Sequence, residues 1–380
     1  MGFHTFANTY DWGRVAPYRK TAQAAPGGMI DLSVGSPVDA TPATVRRALA
    51  DSADAPDAHG YPKAEGSARL RRAIVDWFRN VRGVDCERMG ADFVPTVGSK
   101  EAVALMASLL HLEPGDVVVQ PRISYPTYEI GTQLAGAAVC KVANVADVDS
   151  WRSIPGVKAI WVNSPSNPTG QVLSAGQLRG IVEAARSIGA VVLSDECYAL
   201  LTWSEDAEGG DGAVPASCIL EPAVCGGTAR GVLALYSLSK QSNMAGYRTA
   251  FIAGDPELIG PMKLYRKQIG QIIPGPVQAA MAVALEDGRS VGIQRGLYRR
   301  RFETLVNGLR AAGYDARVPQ GALYVWVRAK SGDCWQDMAE LARIGIVSSP
   351  GEFYGDPTRL RFSVTADDAT LAEAARRLEA

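Results

Sequence analysis

Lys240 closes an apolar run, GVLALYSLS at 231–239, and is followed by the small and polar residues of QSNMAGYR. Solvated, such a lysine is ordinary; enclosed, its amine is pushed toward the neutral, nucleophilic form. Asp195 and Glu196, in SDECYAL at 194–200, end a second apolar run, AVVLSD. A carboxylate at the mouth of a buried strand must be capped, paired or bound to a cation. SPSNPTG at 164–170 sets Asn167 among prolines, which fix the loop and present an amide with both donor and acceptor character. In TVGSKEAV, Gly98 and Ser99 stand where a strand hands over to a helix, and amides at such a start, with a hydroxyl beside them, make an anion site. ISYPTYEIG at 123–131 adds Tyr125 and Tyr128, and Arg248 brings a second cation downstream of Lys240.

Taken singly, these features are a solvated amine, a helix N-cap, a turn, a glycine before a helix and aromatic packing. Together they meet the needs of one cofactor, pyridoxal 5'-phosphate. Its aldehyde needs a lysine, its ring nitrogen an aspartate that keeps it protonated, and its phosphate amides and cations.

The elements that must hold these residues follow from the spacing of apolar residues. Runs without inside/outside alternation occur at 116–120, 158–163, 190–195, 231–239 and 249–254, separated in several places by amphipathic stretches. One of these, SAGQLRGIVEAARSIG at 174–189, has Ser174 as N-cap and Gly189 as stop. Such strands predict a mostly parallel sheet covered on both faces, an α/β core with ligands bound outside the carboxyl ends of the strands. Beyond about residue 285 the pattern changes to a long charged helix near 290–312, the run YDARVPQGALYVWV, another helix, RLRFSV and a final helix at 366–379. The expected division is a large domain over 46–285 and a smaller α+β domain from 1–45 and 286–380. The Gly-rich acidic stretch at 204–217 reads as a surface loop.

The ordered segments GYPKAEGSARLRRAI, VGSKEA, SYPTY, NSPSNPTG, SDECYA, SLSKQSNMAGYR and LRFSV resemble the motifs of class I/II aminotransferases of fold type I across nearly the whole chain. DLSVGSPVD, SKQSNMAGYR and PGEFYG bring the resemblance nearest to the actinobacterial-type N-succinyldiaminopimelate aminotransferases. The resemblance implies that Lys240 is the residue joined to the cofactor, that Asp195 pairs with the ring nitrogen, and that Tyr198 and Asn167 bond the ring oxygen. It implies further that Tyr125 stacks on the ring and that Gly98, Ser99 and Lys100 begin a phosphate cradle completed by Ser237 and Arg248. Lys100 departs from the small or amide residue often found after this Gly-Ser pair, so a backbone contact is expected there. Tyr61 is expected to reach the phosphate of a neighbouring subunit, which makes the unit a homodimer. Arg361, with the backbone of Gly35 near it, is expected to clamp the α-carboxylate of an amino or keto acid. Arg359 shares its strand face, and Arg361 is preferred because Phe362 and Ser363 follow it.

The implied reaction is transfer of an amino group between glutamate and an acidic keto acid, with N-succinyl-2-amino-6-oxopimelate favoured. A broad-specificity or aromatic aminotransferase, or a carbon–sulfur lyase on the same fold, shares every residue named. A cofactor-sensing DNA-binding regulator would need a basic module, and 39 basic against 40 acidic side chains supply no such field. That balance likewise argues against nucleic acid and anionic membranes as partners. Six cysteines without a CxxC pair fit reduced thiols. The start, MGFHTFANTYDWGR, lacks an apolar signal core, and Phe6 stands where a myristoylation signal wants Ser or Thr. The expectation is a cytoplasmic protein. Arg14, Lys63 and Ser36 lie in segments able to face a cleft and are candidates to read the distal end of a substrate.

Overall fold

The computed structural model describes residues 10–203 and 214–380. The first nine residues, and the acidic stretch through position 213, lie outside the described residues. The apolar runs become strands of one seven-stranded sheet: β2 (Asp92–Val97), β3 (Val117–Pro121), β4 (Ala138–Val142), β5 (Val157–Asn163), β6 (Val191–Asp195), β7 (Val232–Ser237) and β8 (Thr249–Gly254), preceded in the chain by the short β1 (Ile30–Asp31). The order across the sheet is β2-β8-β7-β6-β5-β3-β4. Strands β7, β6, β5, β3 and β4 are mutually parallel, whereas β8 runs antiparallel to both its neighbours. The architecture is therefore α/β with a mostly parallel sheet. The reversal at β8 has a simple cause: the connection 238–248 is too short for the crossover that a parallel strand needs.

Helices close both faces, and their ends are written locally. In Ala68–Arg82 the Ser67 hydroxyl accepts from Leu70 N–H at 3.2 Å, and Gly83 ends the helix in the left-handed region at φ 63°. Its buried Leu70, Ala73, Ile74, Trp77 and Phe78 recur at helical spacing, and Trp77 meets Tyr236 of β7 with ring centroids 4.3 Å apart. The helix Ala175–Ser187 has Ser174 as N-cap, as its sequence predicts, and Gln177 completes a full capping box.

The rest of the chain builds a second apolar cluster around Tyr298, Phe302, Leu305, Phe362 and Leu371. It lies under a three-stranded antiparallel sheet of β9 (Tyr324–Arg328), β11 (Ser349–Pro350) and β12 (Arg359–Ser363), with β12 in the middle. β10 (Ile346–Val347) pairs in parallel with β1, so the chain near residue 30 is stitched to the chain near 346. The long helix Gly288–Ala311 and the last helix Asp368–Glu379 approach closely at Gly308, where an added Cβ would stand 2.6 Å from Ala375 Cα. Among the described residues no helix is long and apolar enough to cross a membrane.

Candidate active site

Asn163, Asp195 and Ser237 are the last residues of β5, β6 and β7, and all three line a cleft of ≈ 280 Å³. It opens at the carboxyl ends of parallel strands, where a doubly covered sheet leaves room for a ligand. Gly35, Ser99, Lys100, Tyr125, Asn167, Tyr198, Lys240, Arg248 and Arg361 also line it.

Lys240 does not sit at a strand end, as its preceding run suggests. The Ser237 hydroxyl accepts from Ser239 N–H at 3.2 Å and starts a short helix, Leu238–Gln241, that carries the lysine. Nζ donates to the Gly35 carbonyl oxygen. Burial lowers the amine's pKa, and the Arg361 and Arg248 cations push the same way against Tyr324. The arrangement favours a neutral amine.

The two adjacent carboxylates part company. Asp195 is 6% exposed; its Oδ2 accepts from the Tyr128 hydroxyl at 2.7 Å and its Oδ1 from Cys197 N–H at 3.2 Å. No described residue supplies a cation, and burial raises its pKa against the Cys197 thiol, the Tyr128 hydroxyl and Cys197 N–H. A ring nitrogen that carries a proton would satisfy it. Glu196 points away into the core, where it pairs with Arg82 at 2.9 Å and accepts from Ile219 N–H at 2.8 Å.

An anion cradle faces this pair. Gly98 caps the helix Ser99–Leu109 with φ 78°, and an added Cβ would lie 2.1 Å from Arg248 Nη2, so only glycine lets the guanidinium come so near. Arg248 is itself in the left-handed region, φ 57°, and Nη1 donates to the Ala245 carbonyl at 2.9 Å. Ser99 and Ser237 line the same cleft. Helix amides, two hydroxyls and a guanidinium are a donor set for a phosphate. Together with a buried amine and a buried carboxylate lacking a cation, they fit pyridoxal 5'-phosphate.

Arg361 is 4% exposed, held by Asn167 Oδ1 at 2.8 Å and the Ser33 carbonyl at 2.7 Å. Its guanidinium lies over Tyr324 at 3.9 Å and Tyr354 at 4.5 Å, while Nε has no partner. A buried guanidinium without a carboxylate is an incomplete pair. Asn167 is in turn fixed by its own N–H to Asn163 Oδ1 at 2.7 Å. The Tyr198 and Tyr324 hydroxyls share a hydrogen bond of 2.9 Å. Burial pushes both phenols up, but at Tyr324 the Arg361 and Lys240 cations outweigh it and hold that phenol below its ordinary value. Tyr125 meets Tyr128 edge to face at 5.8 Å, and burial raises its pKa.

Other named residues stay outside. Tyr61 is fully exposed in the single chain, at 102%, and does not line the cleft. Arg14 is tied to Glu352 at 2.9 Å and covers the Trp335 ring at 4.3 Å; neither it nor Lys63 or Ser36 lines the cleft. Arg359 turns to Asp356 at 3.4 Å. Sequence reasoning assigned no part to Tyr324, Tyr354, Asn163 or Cys197, and read Tyr128 as packing alone. Two of these carried a signal: Asn163 ends an apolar run, and Tyr128 stands at helical spacing from Tyr125.

The description "Aminotransferase class I and II" matches residues 27–378. The chain is 42% identical over 371 residues, covering 97% of itself and 98% of the relative, to 4-dedimethylamino-4-oxo-anhydrotetracycline transaminase OxyQ of Streptomyces rimosus. It is 31% identical, over 92% of itself and 90% of the relative, to the LL-diaminopimelate aminotransferase of Nitratidesulfovibrio vulgaris. Among solved structures, Thermus thermophilus aspartate aminotransferase with maleate superposes with a TM-score of 0.82 at 25% identity, covering 97% of this chain and 94% of that one.

Proposed function

This chain belongs to the class I and II aminotransferases, a pyridoxal 5'-phosphate-dependent family, and from that premise we propose that it moves an amino group between glutamate and N-succinyl-2-amino-6-oxopimelate. The observation that carries an amino or keto acid as substrate is Arg361, buried between two phenol rings with an unpartnered Nε and set in the same cleft as Lys240. A planar guanidinium so held takes a carboxylate bidentately. The diaminopimelate skeleton is supported by the relative named for LL-diaminopimelate and by the segments DLSVGSPVD and PGEFYG.

In this reading the bound cofactor supplies the electron sink for the pair left on the substrate's α-carbon. Lys240 Nζ, its pKa lowered by burial, takes the α-proton and holds it for return. Asp195 holds the proton on the ring nitrogen. Tyr198 and Asn167 orient the ring oxygen, Tyr125 covers the ring face, and Gly98, Ser99, Lys100, Ser237 and Arg248 grip the phosphate. Arg361, beside the Gly35 backbone, fixes the α-carboxylate so that the Cα–H bond points at Lys240. Tyr61 serves the neighbouring subunit of a homodimer. We assign 46–285 to the cofactor-binding domain and 1–45 with 286–380 to the one that carries Arg361; the apolar clusters support this division in the main, although Cys197, Tyr198, Leu201 and Trp203 join the cluster of the second.

A second reading rests on OxyQ: a bulky polycyclic carbonyl as amino acceptor. The deciding measurement is kcat/KM with glutamate as donor against N-succinyl-2-amino-6-oxopimelate, aromatic keto acids and a polycyclic ketone. Preference for the succinylated acceptor supports the first reading; preference for either of the others overturns it and leaves the aminotransferase intact.

A further inference from the structure

Beside the cleft lies a second chamber of ≈ 200 Å³, and Tyr10 and Tyr354 line both. Its walls are the end of β3 with Gln120 and Arg122, the Glu129–Lys141 pair, and the turn around Tyr354. These walls are seated on one another. Ser124 N–H donates to the Tyr354 carbonyl at 3.0 Å, and at Gly355, φ 100°, an added Cβ would stand 2.4 Å from the Arg122 carbonyl oxygen. The shape is thus built in, and the last glycine of PGEFYG is required by it.

Two features of the lining lack partners. Gln120 is 1% exposed; its Nε2 donates to Ser124 Oγ at 3.1 Å, while Oε1 accepts from nothing among the described residues. A buried carbonyl left this way is destabilising until a ligand or a water supplies a donor. The charges of the lining are also unequal once pairs are set aside. Glu129 takes Lys141 at 2.8 Å and Glu352 takes Arg14 at 2.9 Å. Arg122 is exposed and makes no side-chain hydrogen bond or ion pair with a described residue, so water alone meets its charge and an anion can replace that water. The chamber therefore asks for an N–H or O–H donor and an anion.

We propose that this chamber is the subsite for the distal end of the substrate, an acyl amide ending in a carboxylate, with the amide N–H on Gln120 Oε1 and the carboxylate on Arg122. The inference rests on the reading of the chain as an aminotransferase for a long acidic amino acid, and adds to it which residues read the far end. Of the candidates from sequence, Arg14 is tied to Glu352, and neither Lys63 nor Ser36 lines either space.

The test uses holoenzyme, wild type, Arg122→Ala and Gln120→Met. Each is titrated with glutarate, suberate and sebacate by the absorbance of the cofactor, and kcat/KM is measured for glutamate and for N-succinyl-LL-diaminopimelate as donors. Arg122→Ala is expected to weaken sebacate and the succinylated donor by about 10- to 100-fold, the worth of a lost charge-assisted hydrogen bond, and to change glutarate and glutamate by less than about threefold. Gln120→Met is expected to harm only the donor that carries an amide. Equal losses for short and long ligands, or none, overturn the subsite. If wild type ignores the succinylated donor while sebacate affinity still depends on Arg122, the substrate reading falls and the subsite stands. If the succinylated donor is used well and Arg122→Ala leaves it untouched, the reverse holds.

Discussion

Tyr128→Phe removes one oxygen atom and leaves the ring, which is why it isolates the tuning of Asp195. The Tyr128 ring stacks on Trp161 with centroids 4.5 Å apart and planes at 19°, and that contact survives the change. What is lost is the 2.7 Å hydrogen bond to Oδ2 of a buried carboxylate whose remaining donors are Cys197 N–H and the Cys197 thiol. A hydrogen bond to a charged group is worth about 1.5–3 kcal/mol, or roughly 10- to 100-fold in an equilibrium that depends on the ionised form. Burial already raises the Asp195 pKa, and without Tyr128 it acts with less opposition. The carboxylate is then protonated at higher pH than in the wild type. In the glutamate half-reaction, followed by cofactor absorbance, the acid limb of kcat should move to higher pH and kcat at neutral pH should fall by about 10- to 100-fold. The melting temperature should stay close to that of the wild type. Tyr125→Phe is the comparison, because no hydrogen bond joins its hydroxyl to Asp195. An unmoved acid limb in Tyr128→Phe, or the same shift in Tyr125→Phe, refutes the reasoning.

Asp195→Asn should lower turnover by several orders of magnitude with modest loss of cofactor, since the ring nitrogen loses the partner that keeps it protonated. Glu196→Gln should do the opposite: leaving Arg82 unpaired in the core costs about 3–5 kcal/mol on denaturant unfolding, while folded protein keeps its kcat. If the Glu196 variant is the inactive one, the two roles are exchanged. Arg361→Lys should lower kcat/KM for every amino donor by about 10- to 100-fold, because a point charge cannot replace the planar fork; a loss confined to one donor would argue against an α-carboxylate site. The Lys240 amine is protonated below its pKa and neutral above, and burial lowers that pKa, so capture of added cofactor should rise with pH with a midpoint under that of a solvated lysine. Borohydride should then fix the cofactor on the Lys240 peptide; label on another lysine sinks the assignment.

Burial on both faces left a plain mark in the sequence. Strands β5, β6 and β7 read as continuous apolar runs because helices cover them, and the residues that end them, Asn163, Asp195 and Ser237, all open into the cleft. Pairs set by tertiary contact left no such mark. Tyr128 with Asp195, Tyr198 with Tyr324, and Arg361 with the Ser33 carbonyl join residues far apart in sequence, and nothing local to either partner announces the other. The two-residue strands β1 and β10 are too short to carry a period, and so went unread. The choice between Arg359 and Arg361 shows what decides such cases. Both project from the same face of β12, and period-two reasoning treats them alike. The register separates them: Arg361 lies between Trp326 of β9 and Ser349 of β11, flanked on both sides, whereas β11 ends at Pro350 opposite Leu360 and leaves Arg359 paired with β9 alone. A guanidinium in the middle of three strands must find buried partners, which here are Asn167, the Ser33 carbonyl and two phenol faces. One at the open end turns to Asp356 and water. The length of the neighbouring strand, two residues, is what buries one guanidinium and leaves the other at the surface.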